Sequence, residues 1–218
     1  METVSEVERH YGGRPVTARK AERRSQFLGA ALAVFTEKGY ARSSVADICA
    51  AAGLARSQFY AEFASREDLL LALYDQIQSD ARDAMVAGLA EVDSADVREH
   101  AAAAMAAFVE SIGQDPRRAQ ISYVDIVGVS PRVEQHRLDQ RAVWRGFFES
   151  TLRGVAGAGF VPPGGYEMAS TAFIGALTAL VHQWSTTDPR PPVAGLIDVM
   201  TTVLNAFVSG ASEDSAET

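Results

Sequence analysis

The sequence predicts an all-α protein: an N-terminal three-helix head with a helix-turn-helix, joined to a larger helical body, about nine helices in all. Three observations predict it. Apolar residues recur with the helical period along nearly all of the 218-residue chain. No stretch alternates apolar and polar as a half-buried strand does. Residues 39–70 read as two short helices joined by a glycine turn. At this length the chain can bury an ample core, as one large domain or two unequal ones.

The elements follow from caps and stripes. Residues 1–16 are polar, with Gly12, Gly13 and Pro15, and are expected to form a disordered arm. A first helix over about 18–38 carries Phe27, Ala31, Val34 and Phe35 as its buried stripe, and Gly39 closes it. Ser44 is an N-cap, and Asp47 three residues on makes a capping-box variant. Val45, Ile48, Cys49 and Ala52 then form one apolar face, and Gly53 ends that helix as a left-handed residue. The next helix runs from about Ala55 to Phe63. Ser65 with Asp68 repeats the capping box and opens a long helix, Arg66 to about Val92, with Leu69, Leu70, Leu73, Ile77, Met85 and Leu89 apolar.

After a break near Asp93-Ser94, a helix to about Gly113 is lined inside by Ala101, Met105, Phe108 and Ile112. Pro116, tolerated in a first turn, starts a helix to Val127 that is apolar on most sides. Pro131 opens the longest body helix, to about Val155. Its inner side is assigned Val133, Gln140, Trp144, Phe147, Phe148 and Thr151. Arg137, Arg141, Arg145, Glu149 and Arg153 repeat every four residues and are assigned to an outer, solvated face. Residues 154–165 form a loop. Two last helices, about 166–186 and 194–209, flank Asp188-Pro189-Arg190-Pro191-Pro192; the first carries a small-residue row, Ala169, Ala172, Ala176 and Ala179. Residues 210–218 are acidic and expected to be disordered.

Net charge is −8, which alone argues against nucleic acid. Its distribution argues the other way. Residues 1–66 hold ten Lys and Arg against seven Asp and Glu, a net of +3; residues 67–218 hold ten against twenty-one, a net of −11. A positive head on an acidic body suits a chain that meets phosphate at one end. The lone cysteine, Cys49, falls on a buried face and reads as an inert core residue in a reducing cytoplasm. No apolar run suggests a signal peptide or a membrane span. Phosphate-cradling glycine loops, H-E-x-x-H, C-x-x-C and G-x-S-x-G are all absent, and His10, His100, His136 and His182 are scattered. No catalytic residue, cofactor or metal is assigned.

The helix 55–63 turns Phe59 and Phe63 inwards. Opposite lie Ser57 and Ala61, flanked by Gln58 and Tyr60, with Arg56 near the helix start. Such a face suits a solvated bundle surface. It also suits DNA: Gln58 can offer a bidentate pair to adenine, Tyr60 a phosphate hydrogen bond, and Arg56 or Arg66 a phosphate ion pair. The cluster Arg14, Arg19, Lys20, Arg23 and Arg24 reads equally as a solvated helix end or a phosphate-contacting arm.

Gly53-Leu54, Phe59-Tyr60, Phe63 and Ser65-Arg66-Glu67-Asp68-Leu69, preceded by Phe27, Ala31-Leu32, Phe35 and Gly39-Tyr40, resemble a known signature. It is the DNA-binding signature of the tetracycline-repressor (TetR) family of bacterial regulators, matched over about residues 20–72. The candidate DNA contacts are Ser44, Arg56, Ser57, Gln58, Tyr60 and Arg66. The resemblance puts Gln58 and Arg56 on bases or phosphates, and Ser44, Tyr60 and Arg66 on the backbone. Three positions depart from the family pattern. Ala55 stands where a serine cap is usual, Ala46 where a basic residue is common, and Glu62 on an edge where a negative charge would face DNA. Glu62 is expected to turn towards an arginine or solvent.

In the body, Met105, Phe108, Tyr123, Trp144, Phe148 and Phe173 fall on inward helix faces, with Tyr123, Asp125 and Gln140 as polar groups. They either fill a core or line a small-molecule site. The resemblance implies the second, an effector pocket. It also implies that helices 166–186 and 194–209 pair with their copies in a four-helix dimer bundle. The expected organisation is a DNA-binding domain over 17–66 and an effector-binding and dimerisation domain over 67–209. The expected function is a homodimeric cytoplasmic repressor, released from a palindromic operator by a small-molecule effector. The alternatives are an activator of the same family, and a helical enzyme or small-molecule carrier in which residues 39–70 only pack.

Overall fold

A computed structural model describes the chain at residues 10–11 and 14–209, with side chains over 17–207. Apart from one minimal antiparallel pair, His10–Tyr11 (β1) with Arg14–Pro15 (β2), the described residues are helical or connecting. That pair departs from an arm without structure, and Gly12-Gly13 between the strands is the signal for it in the sequence. The remainder of the expected arm, and the tail 210–218, lie outside the described residues. The chain forms two compact units, Met1–Leu73 and Tyr74–Thr218.

In the first unit, α1 (Val16–Lys38) brings all four residues of its expected stripe into the core: Phe27, Ala31 and Phe35 are fully buried and Val34 nearly so. A 3₁₀ turn (Tyr40–Arg42) leads to α2 (Val45–Ala52). The Ser44–Asp47 capping box forms in full: Ser44 Oγ accepts from the Asp47 N–H, and the Asp47 carboxylate accepts from the Ser44 N–H. Gly53 takes φ 66°, a left-handed conformation a side chain would strain. α3 (Arg56–Glu62) follows, and Phe59 and Phe63 meet the Phe27 ring edge-on at 5.5 and 6.2 Å. Each such ring contributes about 1.5–3 kcal/mol by burial. Ser65 Oγ accepts from the Asp68 N–H and opens α4 (Arg66–Ala90) as expected. α4 is unbroken and supplies residues to both units.

In the second unit, α5 (Val97–Gly113) is capped by Asp96 and packs along α9 (Val193–Ser209). Met105, Phe108, Ile112, Val181 and Met200 are the centre of one core cluster. α4 and α5 approach so closely at Gly88 that a Cβ there would lie 2.9 Å from that of Ala107. α6 (Pro116–Gln120), expected to continue regularly to Val127, instead widens into a π-helical turn over Ile121–Asp125. Three consecutive residues on this turn, Ile121, Ser122 and Tyr123, are buried. Val127 ends the segment exposed. α7 (Pro131–Ala156) is capped by Ser130, and α8 (Gly165–Thr186) packs on α7 and α9. In the small-residue row of α8, Ala169 is buried within its own protomer, whereas Ala172 and Ala179 are exposed with Gly175 between them. Among the described residues no helix is long and apolar enough to cross a membrane.

Candidate functional site

The outer face of α3 exposes Arg56, Ser57, Tyr60 and Ala61. Phe59, on the opposite side, fixes the helix and braces the Tyr60 ring edge-on at 5.3 Å. Three other candidate DNA contacts are locally engaged. Gln58 Oε1 accepts from the backbone N–H of Ala55 at 3.0 Å, so it caps its own helix from the third position. Ala55 has no side-chain acceptor to return, and only half of a capping box exists. Ser44 Oγ is the α2 cap and also donates to Asp47 at 2.7 Å. Lys38 and Ser44 together hold the Asp47 carboxyl below the usual carboxylate range.

Arg66 is also engaged within the first unit. Its guanidinium donates to the Ser43 carbonyl and Oγ and lies 4.2 Å from the Tyr40 ring centroid, tying the start of α4 to the turn before α2. This tertiary clasp spans 23 residues and uses Nη1 of the guanidinium. Glu62 turns as expected: its carboxylate accepts from Arg23 at 3.1 Å and its side chain is only 1% exposed. No negative charge is therefore presented there. Ala46 is exposed beside the α2 cap, and Arg24 lies over the Phe63 ring at 4.6 Å.

The second unit contains a cleft of about 680 Å³, open solvent at its mouth included. All six aromatic and methionine candidates, Met105, Phe108, Tyr123, Trp144, Phe148 and Phe173, line it. Sequence reading missed Tyr74 and Gln78 on α4, Ser122 on the π turn, and Ile174 and Thr178 on α8. The spacing Tyr74, Gln78, Met85 on one α4 face was the available signal. Gln78 accepts from the Trp144 indole N–H at 2.7 Å, which orients the ring. Burial pushes the Tyr74 hydroxyl up to about 12 and that of Tyr123 higher still. Both remain neutral hydrogen-bond donors at ordinary pH. Two expected polar groups sit elsewhere: Asp125 accepts from Gln120, and Gln140 donates to Asp75 beside His136.

The assignment of the α7 arginines is corrected in part. Arg137 and Arg141 line the cleft, and Arg141 is at the same time exposed to solvent. Residues 137, 141, 144 and 148 are spaced by four, three and four, so both arginines share the stripe of Trp144 and Phe148. Arg145 is exposed, and Arg153 pairs with Glu149 at 2.9 Å, as expected. Among the described residues no three His, Cys, Asp or Glu side chains converge as a metal site.

Residues 27–73 match the family described as bacterial regulatory proteins, tetR family. No curated protein sequence matches the chain. Solved structures share its fold. The fatty acid degradation regulator FadR from Bacillus halodurans is similar at TM-score 0.74 and 20% identity, over 84% of this chain and 94% of that one. FadR from Bacillus subtilis, solved in complex with stearoyl-CoA, is similar at TM-score 0.67 and 21% identity, over 85% and 98%. A TetR-family transcriptional regulator from Syntrophomonas wolfei gives 0.70 and 18%, over 87% and 96%. Over residues 27–73 the chain matches the tetR family of bacterial regulatory proteins, and over most of its length it shares the fold of these solved regulators.

Proposed function

We propose that the protein is a homodimeric transcriptional repressor that binds a palindromic operator through α3 and is released by a small molecule held in the cleft of the second unit. The observation that carries this reading is the division of labour on α3. Its buried side is closed by Phe59, while Arg56, Ser57 and Tyr60 remain free on the other side with only small residues between them. Small side chains let the helix approach base edges, and Arg56 and Tyr60 flank them as phosphate partners. Gln58 keeps its amide donors while its oxygen caps the helix. Ser44 and Arg66 serve as positioning residues, fixing α2 and the turn before it.

Dimerisation through α8 and α9 supplies the second copy of α3. The exposed strip Ala172, Gly175 and Ala179 allows two α8 helices to approach closely, and a two-fold axis presents two heads to half-sites about 34 Å apart. An effector shifts the protein towards release only by its difference in affinity between the DNA-competent and released conformations.

Fluorescence anisotropy with duplexes from the DNA flanking the gene tests this. The expected result is tight binding to one duplex whose affinity falls linearly with log salt, a shallower slope for Arg56→Ala, and uniform weakening for Tyr60→Phe. Absence of salt-dependent binding to any flanking duplex overturns it.

A further inference from the structure

The mouth of the cleft is more basic than the acidic body around it suggests. Arg141 lines the cleft and makes no ion pair among the described residues; Arg137 beside it is paired with Glu134 at 2.7 Å, its side chain only 12% exposed. Arg82, one turn beyond Gln78 on α4, lies 5.4 Å from the Trp144 ring centroid, and its buried Nη1 has no hydrogen-bond partner. Ser122 Oγ, on the cleft wall, is also buried without a partner. Buried donors left unmade are costly, and an anionic oxygen is the acceptor that a guanidinium lacks here.

Behind this polar end the lining is apolar. A second cavity, about 470 Å³ with its opening included, shares four wall residues with the first: Met85, Met105, Phe148 and Phe173. No Asp, Glu, Lys or Arg lines it. Two of the four dividing side chains are methionines, unbranched and able to move aside within a core. The two spaces thus share a wall, with arginines lining the first and none lining the second.

We propose that the cleft takes an amphiphile with an anionic head group at Arg137 and Arg141, with Arg82 behind the Trp144 wall, and an unbranched apolar chain that passes the Met85–Met105 wall into the second cavity. The proposal rests on the reading of the cleft as the effector site. It is tested by calorimetric titration of the full-length protein with hexadecanoate, its coenzyme A thioester, octanoate, hexadecanol and free coenzyme A. The sixteen-carbon anions are expected to bind, and octanoate at least a hundredfold more weakly, because each lost methylene costs roughly fourfold. Arg141→Ala is expected to weaken the charged sixteen-carbon probes roughly tenfold or more and leave hexadecanol unchanged. Arg145→Ala, on the outer face, is expected to change none of them, and unchanged helical circular dichroism shows that each variant is folded. Binding of hexadecanoate alone marks a carboxylate head, and of the thioester alone a phosphate-bearing one. Hexadecanol binding as tightly as both anions, or octanoate matching hexadecanoate, overturns the amphiphile while sparing the cleft. Failure of every sixteen-carbon probe, charged or not, overturns the cleft reading as well.

Discussion

α3 begins with an unfinished cap, and that makes its stability adjustable at two positions. Ala55 holds the N-cap conformation, φ −73° and ψ 152°, but has no side-chain acceptor. The first amides of α3 therefore lack the oxygen that a serine would supply, while the reciprocal bond, Ala55 N–H to Gln58 Oε1 at 3.0 Å, is in place. Ala55→Ser completes the box without moving the backbone and is expected to stabilise the protein by about 1 kcal/mol. Gln58→Ala removes the existing half and costs a comparable amount. Gln58→Glu keeps an acceptor at that place, with a negative charge favoured near a helix N-terminus, and is expected to melt close to the parent. For a chain of this size 1 kcal/mol corresponds to roughly 2–4 °C in Tm. Calorimetric melting of the four proteins reads the series directly. The expected order is Ala55→Ser above parent, parent near Gln58→Glu, and Gln58→Ala lowest. If Gln58→Ala melts with the parent, the glutamine does not cap α3 in solution and the argument fails.

Three other perturbations follow from equally local features. Arg23→Ala strands the Glu62 carboxylate, which is almost wholly buried and whose Oε2 already lacks a partner, at a cost of about 1–2 kcal/mol since Arg23 itself is partly exposed; urea unfolding with no loss of stability would show the pair to be incidental. Tyr74, raised by burial from 10 to about 12, binds its proton more tightly folded than unfolded, so stability present below pH 10 is lost as pH climbs towards 12. Tyr74→Phe, which removes no hydrogen bond seen among the described residues, is expected to retain about 1 kcal/mol more than the parent by pH 11, and identical pH slopes in urea melts would refute it. A Cβ added at Gly175 meets nothing within 4 Å and the position is exposed, so Gly175→Leu should keep its helical circular dichroism. Sedimentation should nonetheless show dissociation to monomers, and an intact dimer would place the two-fold contact on another surface.

Local signals were legible and tertiary ones were not. Ser44 with Asp47, Gly53, and Ser65 with Asp68 could be read because a cap and its partner lie within three residues, so spacing alone specifies the contact. The stripe of Phe27, Ala31, Val34 and Phe35 could be read because a helix repeats its face every turn. Arg137 and Arg141 were assigned to the outer face alone although their spacing to Trp144 and Phe148 was correct for the inner one. Residue type outweighed angle, and a charged residue on the rim of a cleft satisfies both faces at once, its stem buried and its head wet. The π turn left no trace in composition, because it changes only which carbonyl each amide meets. The bond from Arg66 to Ser43 could not be read from the sequence, because the two lie 23 residues apart and no spacing rule links them.

The half-built cap also bears on how tightly α3 can read a base. A bidentate glutamine–adenine pair uses both the amide oxygen and the amide nitrogen, and is worth roughly 1–3 kcal/mol of discrimination. In this chain the Gln58 oxygen already accepts from Ala55 N–H, so a bidentate contact must first give up a cap worth about 1 kcal/mol. The net gain falls to between nothing and about 2 kcal/mol. A contact through Nε2 alone keeps the cap and reads any acceptor, adenine N7 or the O6 and N7 of guanine alike, at a single hydrogen bond. If α3 reads DNA as proposed, affinity rests on Arg56 and Tyr60 at phosphate, with selectivity at the Gln58 position held low by the helix's own requirement for an acceptor. A serine at position 55 would not relieve this, since its oxygen serves the amides of residues 57 and 58 and leaves the Ala55-position N–H still dependent on Gln58.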